Sequence, residues 1–259
     1  MTKQKRLRIF AGPNGSGKTT LARKLASEGK FHLPTFVNAD IIEQQLTDNG
    51  IISLKDFNID PKNEETIELM NRYGILNDSN LGDLLDPAVR TFLFDERANY
   101  FTLIDHHLHF TGNLNSYIAA HLATFIRETL LIQGESFAFE TVFSHPSKKE
   151  FMERAIALGY RVYLYFISTK DPSINVNRVA LRVAKNGHPV AEEKIVSRYF
   201  RSLDLLYDAV KTSHRSYLFD NSTKYYNLVS EINKGKNVEV FDEIPPNWFM
   251  EYFYEKVVR

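Results

Sequence analysis

Hydrophobic positions along the chain follow two periods in alternation. Leu7–Ala11 is a short continuous apolar run of the kind buried on both faces of a sheet. A Gly-rich stretch follows it, then a helical pattern from about Lys18 to Glu28 that Gly29 closes. Thr35–Asn38 reads as a second short strand, leading through Ala39-Asp40 into Ile41-Ile42. Ile118, Leu122, Phe125, Ile126 and Thr129 recur at helical spacing within Ser116–Ile132, Gly134 ends that run, and Ser136–Glu140 reads as a buried strand. Pro146 opens a helix to Leu158, Tyr160–Ser168 is a β-branched and aromatic strand, and a helix after Asp171-Pro172 runs to about Lys185. Beyond the break at Asn186-Gly187-His188-Pro189, Ile195, Tyr199, Leu203, Leu206 and Val210 mark one face of a long helix, and Ser216–Asp220 is the next strand. Asn227–Ile232 and Asn237–Phe241 flank Asn233-Lys234-Gly235-Lys236 as a hairpin, and Pro246 starts a short helix carrying Trp248.

Strands alternating with helices predict an α/β fold in three layers, α/β/α, around a mainly parallel central sheet of about five strands. One domain over 1–259 is expected. Between Thr47 and Asn115 the alternation lapses: Pro61, Gly74, Gly82 and Pro87 punctuate stretches such as Asn63–Arg72, which predicts a mostly helical insertion at 47–115. The hairpin and short helix of 224–259 are expected to pack on the core.

Chemistry enters at the Gly-rich stretch. Gly12-Pro13-Asn14-Gly15-Ser16-Gly17-Lys18-Thr19 satisfies the Walker A pattern and lies where that pattern requires, between a strand and a helix. Glycines let backbone N–H groups turn around phosphate oxygens, and the helix N-terminus adds partial positive charge at the same place. The nucleotide-binding set is therefore Gly12, Pro13, Asn14, Gly15, Ser16, Gly17, Lys18, Thr19 and Thr20, with ATP or GTP as ligand. Lys18 is expected to reach the β- and γ-phosphates, and Thr19 to offer its hydroxyl to Mg²⁺, a hard cation that favours oxygen. The fold expected is thus that of a P-loop NTPase.

Phosphoryl transfer also needs an acceptor and charge stabilisation. Asp40 and Glu140 both end predicted strands on the side where ligands bind in open α/β sheets. Asp40 reads either as a carboxylate facing the reacting oxygen or as a helix N-cap before Ile41. Glu140, ending the run Phe137-Ala138-Phe139, must be solvated, paired or close to a cation. Arg178 and Arg182 share a helix face, as do Arg198 and Arg201; they read equally as a lid over transferring phosphate or as solvated surface.

Composition narrows the classes. Lys plus Arg and Asp plus Glu are equal at 32 each, so nothing draws the chain toward nucleic acid or an anionic membrane, and neither is an expected partner. Absence of cysteine excludes disulfides, a thiolate nucleophile and Cys-ligated zinc. Leu7–Ala11 is too short for a signal-peptide core or a membrane span, and the expected compartment is the cytoplasm. His106, His107 and His109 cluster, and in a helix His106 and His109 would share a face, but without a second ligand pair they read as ordinary histidines.

Ala11–Thr20, Phe36-Val37-Asn38-Ala39-Asp40, Phe137-Ala138-Phe139-Glu140-Thr141, Asn186-Gly187-His188-Pro189, Ser197-Arg198-Tyr199 and Asp220-Asn221-Ser222 together resemble the zeta-toxin-like P-loop kinases. The resemblance spans Leu7 to about Asp40 and Ser116 to about Ile232, and leaves out Thr47–Asn115. It implies that Asp40 acts as base toward a substrate hydroxyl, that Glu140 and Thr141 contact substrate, and that Arg182 and Arg198 are the lid arginines, with Arg178 or Arg201 as replacements. The catalytic set it implies is Lys18, Asp40, Arg182 and Arg198. The implied activity is ATP-dependent phosphorylation of a nucleotide sugar such as UDP-N-acetylglucosamine, with an antitoxin protein as partner. Two rival readings are a nucleotide-binding module that signals or binds a partner through 47–115, and a polynucleotide-end kinase, which needs a continuous basic groove.

Overall fold

The structure, a computed structural model, describes residues 4–29, 35–75, 101–185, 187 and 189–258. Lys3, Gly82, Pro87, Asn186 and His188, which figure in the sequence reading, lie outside the described residues. The chain divides into two compact units, one of Met1–Leu33 with Ala138–Arg259 and one of Pro34–Phe137.

In the first unit, β1 (Arg6–Ala11) is followed by α1 (Lys18–Ser27), and the two carry the Gly-rich loop between them. Leu7, Ile9, Phe10 and Ala11 are fully buried, so both faces of β1 are covered. It pairs in parallel with β7 (Arg161–Ser168), which pairs in parallel with β8 (Arg215–Asp220). That register sets Phe10, Tyr165 and Tyr217 side by side, and their rings stack at 4.8 and 5.1 Å across three strands. β9 (Asn227–Asn233) and β10 (Asn237–Val240) add an antiparallel hairpin, turned through left-handed Lys234 and Gly235, and with β6 (Phe137–Thr141) the order is β10-β9-β8-β7-β1-β6. The sheet is wider than the about five strands expected because the hairpin extends it at one edge.

Helix starts follow the caps in the sequence. Asp171 accepts from the Ser173 N–H at 2.8 Å and Pro172 occupies the first turn of the Pro172–Val183 helix. The long helix expected over Ile195–Val210 is two, Glu192–Asp204 and Leu206–Thr212. Leu205 between them keeps helical-region angles, so Leu203, Leu206 and Val210 stay on one buried face across the break. At the C-terminus, Trp248 and Phe249 are buried and the Trp248 indole N–H donates to Asp220 Oδ2 at 2.8 Å.

The second unit holds β2 (Thr35–Val37), α2 (Ala39–Asn49), α3 (Glu64–Arg72) and α4 (Ser116–Ile132). Here the mostly helical insertion needs correction. β3 (Ile51–Ser53), β4 (Phe101–Ile104) and β5 (His107–Phe110) form an antiparallel sheet in the order β3-β5-β4. His107 and His109 therefore alternate along a strand while His106 lies in the preceding turn, which removes the helical face expected for His106 and His109. Among the described residues no group of His, Asp and Glu is arranged to hold a metal ion, and no helix is long and apolar enough to cross a membrane.

One titration in this unit bears on stability. Burial holds the His121 imidazole below its ordinary value, against the pull of its Nε2–H hydrogen bond to the Tyr73 carbonyl at 2.6 Å. The unfolded chain takes up this proton near pH 6.5 while the folded state resists it, so stability falls as pH drops through and below about 6.5. Urea midpoints measured from about pH 7 to 5.5 should fall less steeply in His121→Gln, whose amide can still donate to Tyr73, than in the parent chain.

Candidate functional site

The loop between β1 and α1 is built from left-handed backbone. Gly12, Gly15 and Gly17 have φ of 138°, 74° and 94°, and any side chain would collide: a Cβ on Gly12 would stand 2.0 Å from the Ile167 carbonyl oxygen. Gly12→Ala should therefore destabilise the fold by about 3 kcal/mol or more, read as a shift in the urea unfolding midpoint.

Carbonyl groups of this loop are committed to protein donors. The Pro13 carbonyl accepts from Lys18 Nζ at 2.8 Å, Asn14 from Asn175 Nδ2 at 2.6 Å, Ser16 from Asn221 Nδ2 at 2.8 Å, and Gly17 from the Tyr226 hydroxyl at 2.8 Å. Carbonyls drawn outward in this way leave the N–H side of the loop to meet an anion at the start of a helix. Asn175 and Asn221 are buried, so their amides are fixed donors rather than mobile surface groups.

Lys18 is buried to 6% exposure, and its ammonium lies 3.9 Å from Glu140 Oε1, on a side chain 13% exposed. Glu140 Oε2 accepts from the Thr19 hydroxyl at 2.7 Å. A cation, a hydroxyl and a carboxylate thus meet where β6 ends beside the loop, which answers how Glu140 is accommodated after three buried apolar residues. Hydroxyl and carboxylate oxygens in contact are a donor set suited to a small hard cation. Thr141, next along the strand, accepts from the Phe143 N–H at 3.1 Å through its hydroxyl.

The arginines separate. Arg198, on the Glu192–Asp204 helix, donates from Nη1 to Asn14 Oδ1 at 3.4 Å and so reaches the loop. Arg178 donates to the Thr223 carbonyl at 3.2 Å, tying its helix to the segment after β8 that carries Asn221 and Tyr226. Arg182 sits in the last turn of the same helix as Asn175, roughly 10 Å further along at 1.5 Å per residue, with Gly187 folded against it. Arg201 is exposed and bonds the Ser197 carbonyl of its own helix at 3.4 Å.

Asp40 belongs to the second unit. Asn38, not Asp40, caps its helix: Asn38 Oδ1 accepts from the Asp40 N–H at 2.8 Å. The N-cap reading of Asp40 is thereby corrected, and its exposed carboxylate stands in the first turn, where negative charge is favoured. Asn175 and Tyr226 carry no sequence signature and were not among the expected site residues. Asn221 lay within the Asp220-Asn221-Ser222 motif, though with no role assigned to it.

No protein-family model matches the chain, and no curated protein matches it. Among solved structures it superposes on a chain of the AvrRxo1-ORF1:AvrRxo1-ORF2 complex with sulphate ions, with a TM-score of 0.54 and 13% identity over 92% of this chain and 61% of that one. The same complex with ATP gives 0.52 and 14% identity over 98% and 63%. A chain from the PezAT toxin-antitoxin system of Streptococcus pneumoniae gives 0.47 and 15% identity over 98% and 80%, too distant to carry an argument. The chain thus spans 61–63% of the length of the AvrRxo1 chains it resembles, and what it shares with them is the fold. That fold is the three-layer α/β/α P-loop architecture expected from the sequence.

Proposed function

We propose that this chain is an ATP-dependent phosphotransferase that moves the γ-phosphate to a hydroxyl of a small acceptor, with a nucleotide sugar such as UDP-N-acetylglucosamine as the leading acceptor. The observation that carries the reading is the meeting of Lys18, Thr19 and Glu140 at the mouth of a phosphate loop whose carbonyls are turned outward. ATP as the nucleotide is supported by the AvrRxo1 complex, which was solved with ATP and shares this fold at 14% identity; GTP is the other nucleotide the loop accepts.

Thr19 and Glu140 would hold Mg²⁺, which when bound supplies charge neutralisation on the β- and γ-phosphate oxygens. This moves Glu140 from the acceptor side, where the resemblance put it, to the nucleotide side, and leaves Thr141 as the acceptor contact. In the transfer, the bond between the γ-phosphorus and the β,γ-bridging oxygen breaks, the acceptor oxygen bonds to that phosphorus, and ADP leaves. Asp40 takes the acceptor's proton. Lys18 and Arg198 stabilise the charge that develops on the phosphoryl and leaving oxygens, and Arg182 joins them from the end of its helix. A protein partner of the antitoxin kind is part of the proposal, supported by the ORF1:ORF2 complex in which the AvrRxo1 chain was solved.

The test is ATP turnover with Mg²⁺ across a panel of sugars, nucleotides and nucleotide sugars. Acceptor-dependent ADP release is the expected result; slow turnover that no acceptor accelerates would favour the nucleotide-binding module instead.

A further inference from the structure

A closed ring of polar contacts runs from the phosphate loop into the two helices that follow β7. Asn14 contributes two acceptors to it. Its backbone carbonyl receives Asn175 Nδ2 at 2.6 Å, and its side-chain Oδ1 receives Arg198 Nη1 at 3.4 Å. Asn175 in turn accepts the Thr169 hydroxyl at its own Oδ1, and the Thr169 carbonyl accepts the Tyr199 hydroxyl at 2.6 Å. Tyr199 is the next residue after Arg198 on the Glu192–Asp204 helix, which closes the ring. Thr169, Asn175 and Tyr199 are all buried, so the ring is a fixed frame. Arg198 is set from two directions: Tyr199 anchors its helix, and Asn14 meets its tip.

The acceptor at that tip is neutral. An amide oxygen uses one of the five guanidinium donors and fixes the plane of the group without cancelling its charge. A carboxylate there would form an ion pair and withdraw that charge from anything else. Phosphoryl transfer needs the charge left available, because the stabilisation comes from cations placed beforehand at the oxygens where negative charge develops.

Resting on the phosphotransferase reading, we propose that Asn14 is a positioning residue which, besides lending its backbone to the phosphate loop, holds Arg198 through a neutral side-chain contact so that the guanidinium meets the transferring phosphate fully charged. Asn14 and Arg198 then act on the rate as one device.

A double-mutant cycle on the full chain tests this, with kcat measured at saturating ATP and ATP affinity measured separately by calorimetry. Arg198→Ala should lower kcat by about 10³-fold. Asn14→Ala should lower it by about tenfold, with the ATP Kd within about threefold of the parent because the loop's N–H groups are untouched. In the Arg198→Ala background Asn14→Ala should change kcat by less than about twofold, since residues acting as one unit are not additive. Asn14→Asp should be slower at saturating ATP than Asn14→Ala.

Additive losses in the double variant would overturn the proposal while leaving phosphotransfer intact. So would parent-like kcat in Asn14→Asp, because a merely structural contact to Arg198 is strengthened by a carboxylate. A parent chain that binds ATP and phosphorylates no acceptor would sink the phosphotransferase reading and this proposal together.

Discussion

Lys18→Ala is expected to lower phosphoryl transfer by about 10³-fold, equivalent to roughly 4 kcal/mol of transition-state stabilisation. The size follows from where the ammonium sits. It is 6% exposed, held at 2.8 Å by the Pro13 carbonyl and 3.9 Å from Glu140 Oε1, so its charge acts in a water-poor site where it is worth more than in bulk solvent. Steady-state kinetics should show most of the loss in kcat, because the charge on the leaving oxygens grows as the bond breaks, with a smaller loss in ATP affinity measured by calorimetry. Lys18→Arg should not rescue, since the planar fork has a different reach and geometry from a compact ammonium. Unchanged kcat in Lys18→Ala would remove the lysine from the chemistry.

Asp40→Asn carries the second large effect, a fall of about 10²- to 10⁴-fold in transfer to the acceptor, the usual contribution of a positioned general base. Asparagine keeps the size of the side chain and leaves untouched the Asn38 cap that begins this helix, so the fold is expected to be unaffected. ATP binding measured by calorimetry should be unaltered, which distinguishes this variant from Lys18→Ala. Full transfer by Asp40→Asn would assign the base to another group.

Much of this arrangement was legible in the sequence because it is local. The Walker A pattern binds itself to the strand before and the helix after it, and Glu140 announced itself as a charge at the end of three apolar residues. The three-stranded sheet of the second unit was missed for a physical reason: β3, β4 and β5 are three or four residues long, too short for alternation to stand out from a punctuated helical pattern. Asn175 and Tyr226 were missed for another. They reach Asn14 and Gly17 across 161 and 209 residues of chain, and an asparagine or tyrosine at such a separation leaves no local mark. The same holds for Thr19 and Glu140, 121 residues apart, whose pairing places the acid with the nucleotide machinery rather than with the acceptor. The helix carrying Arg198 was predicted from its apolar face; its meeting with Asn14 depends on the strand order that brings the segment after β7 beside the loop.

The most direct test of the account follows the fate of the γ-phosphate itself. With ATP labelled at the γ-phosphorus, Mg²⁺ and UDP-N-acetylglucosamine or a related nucleotide sugar, products are separated by ion exchange and the label is located. The account predicts label covalently attached to a hydroxyl of the acceptor, in proportion to ADP formed and lost in Lys18→Ala. Label found only in inorganic phosphate, whatever acceptor is supplied, would contradict it.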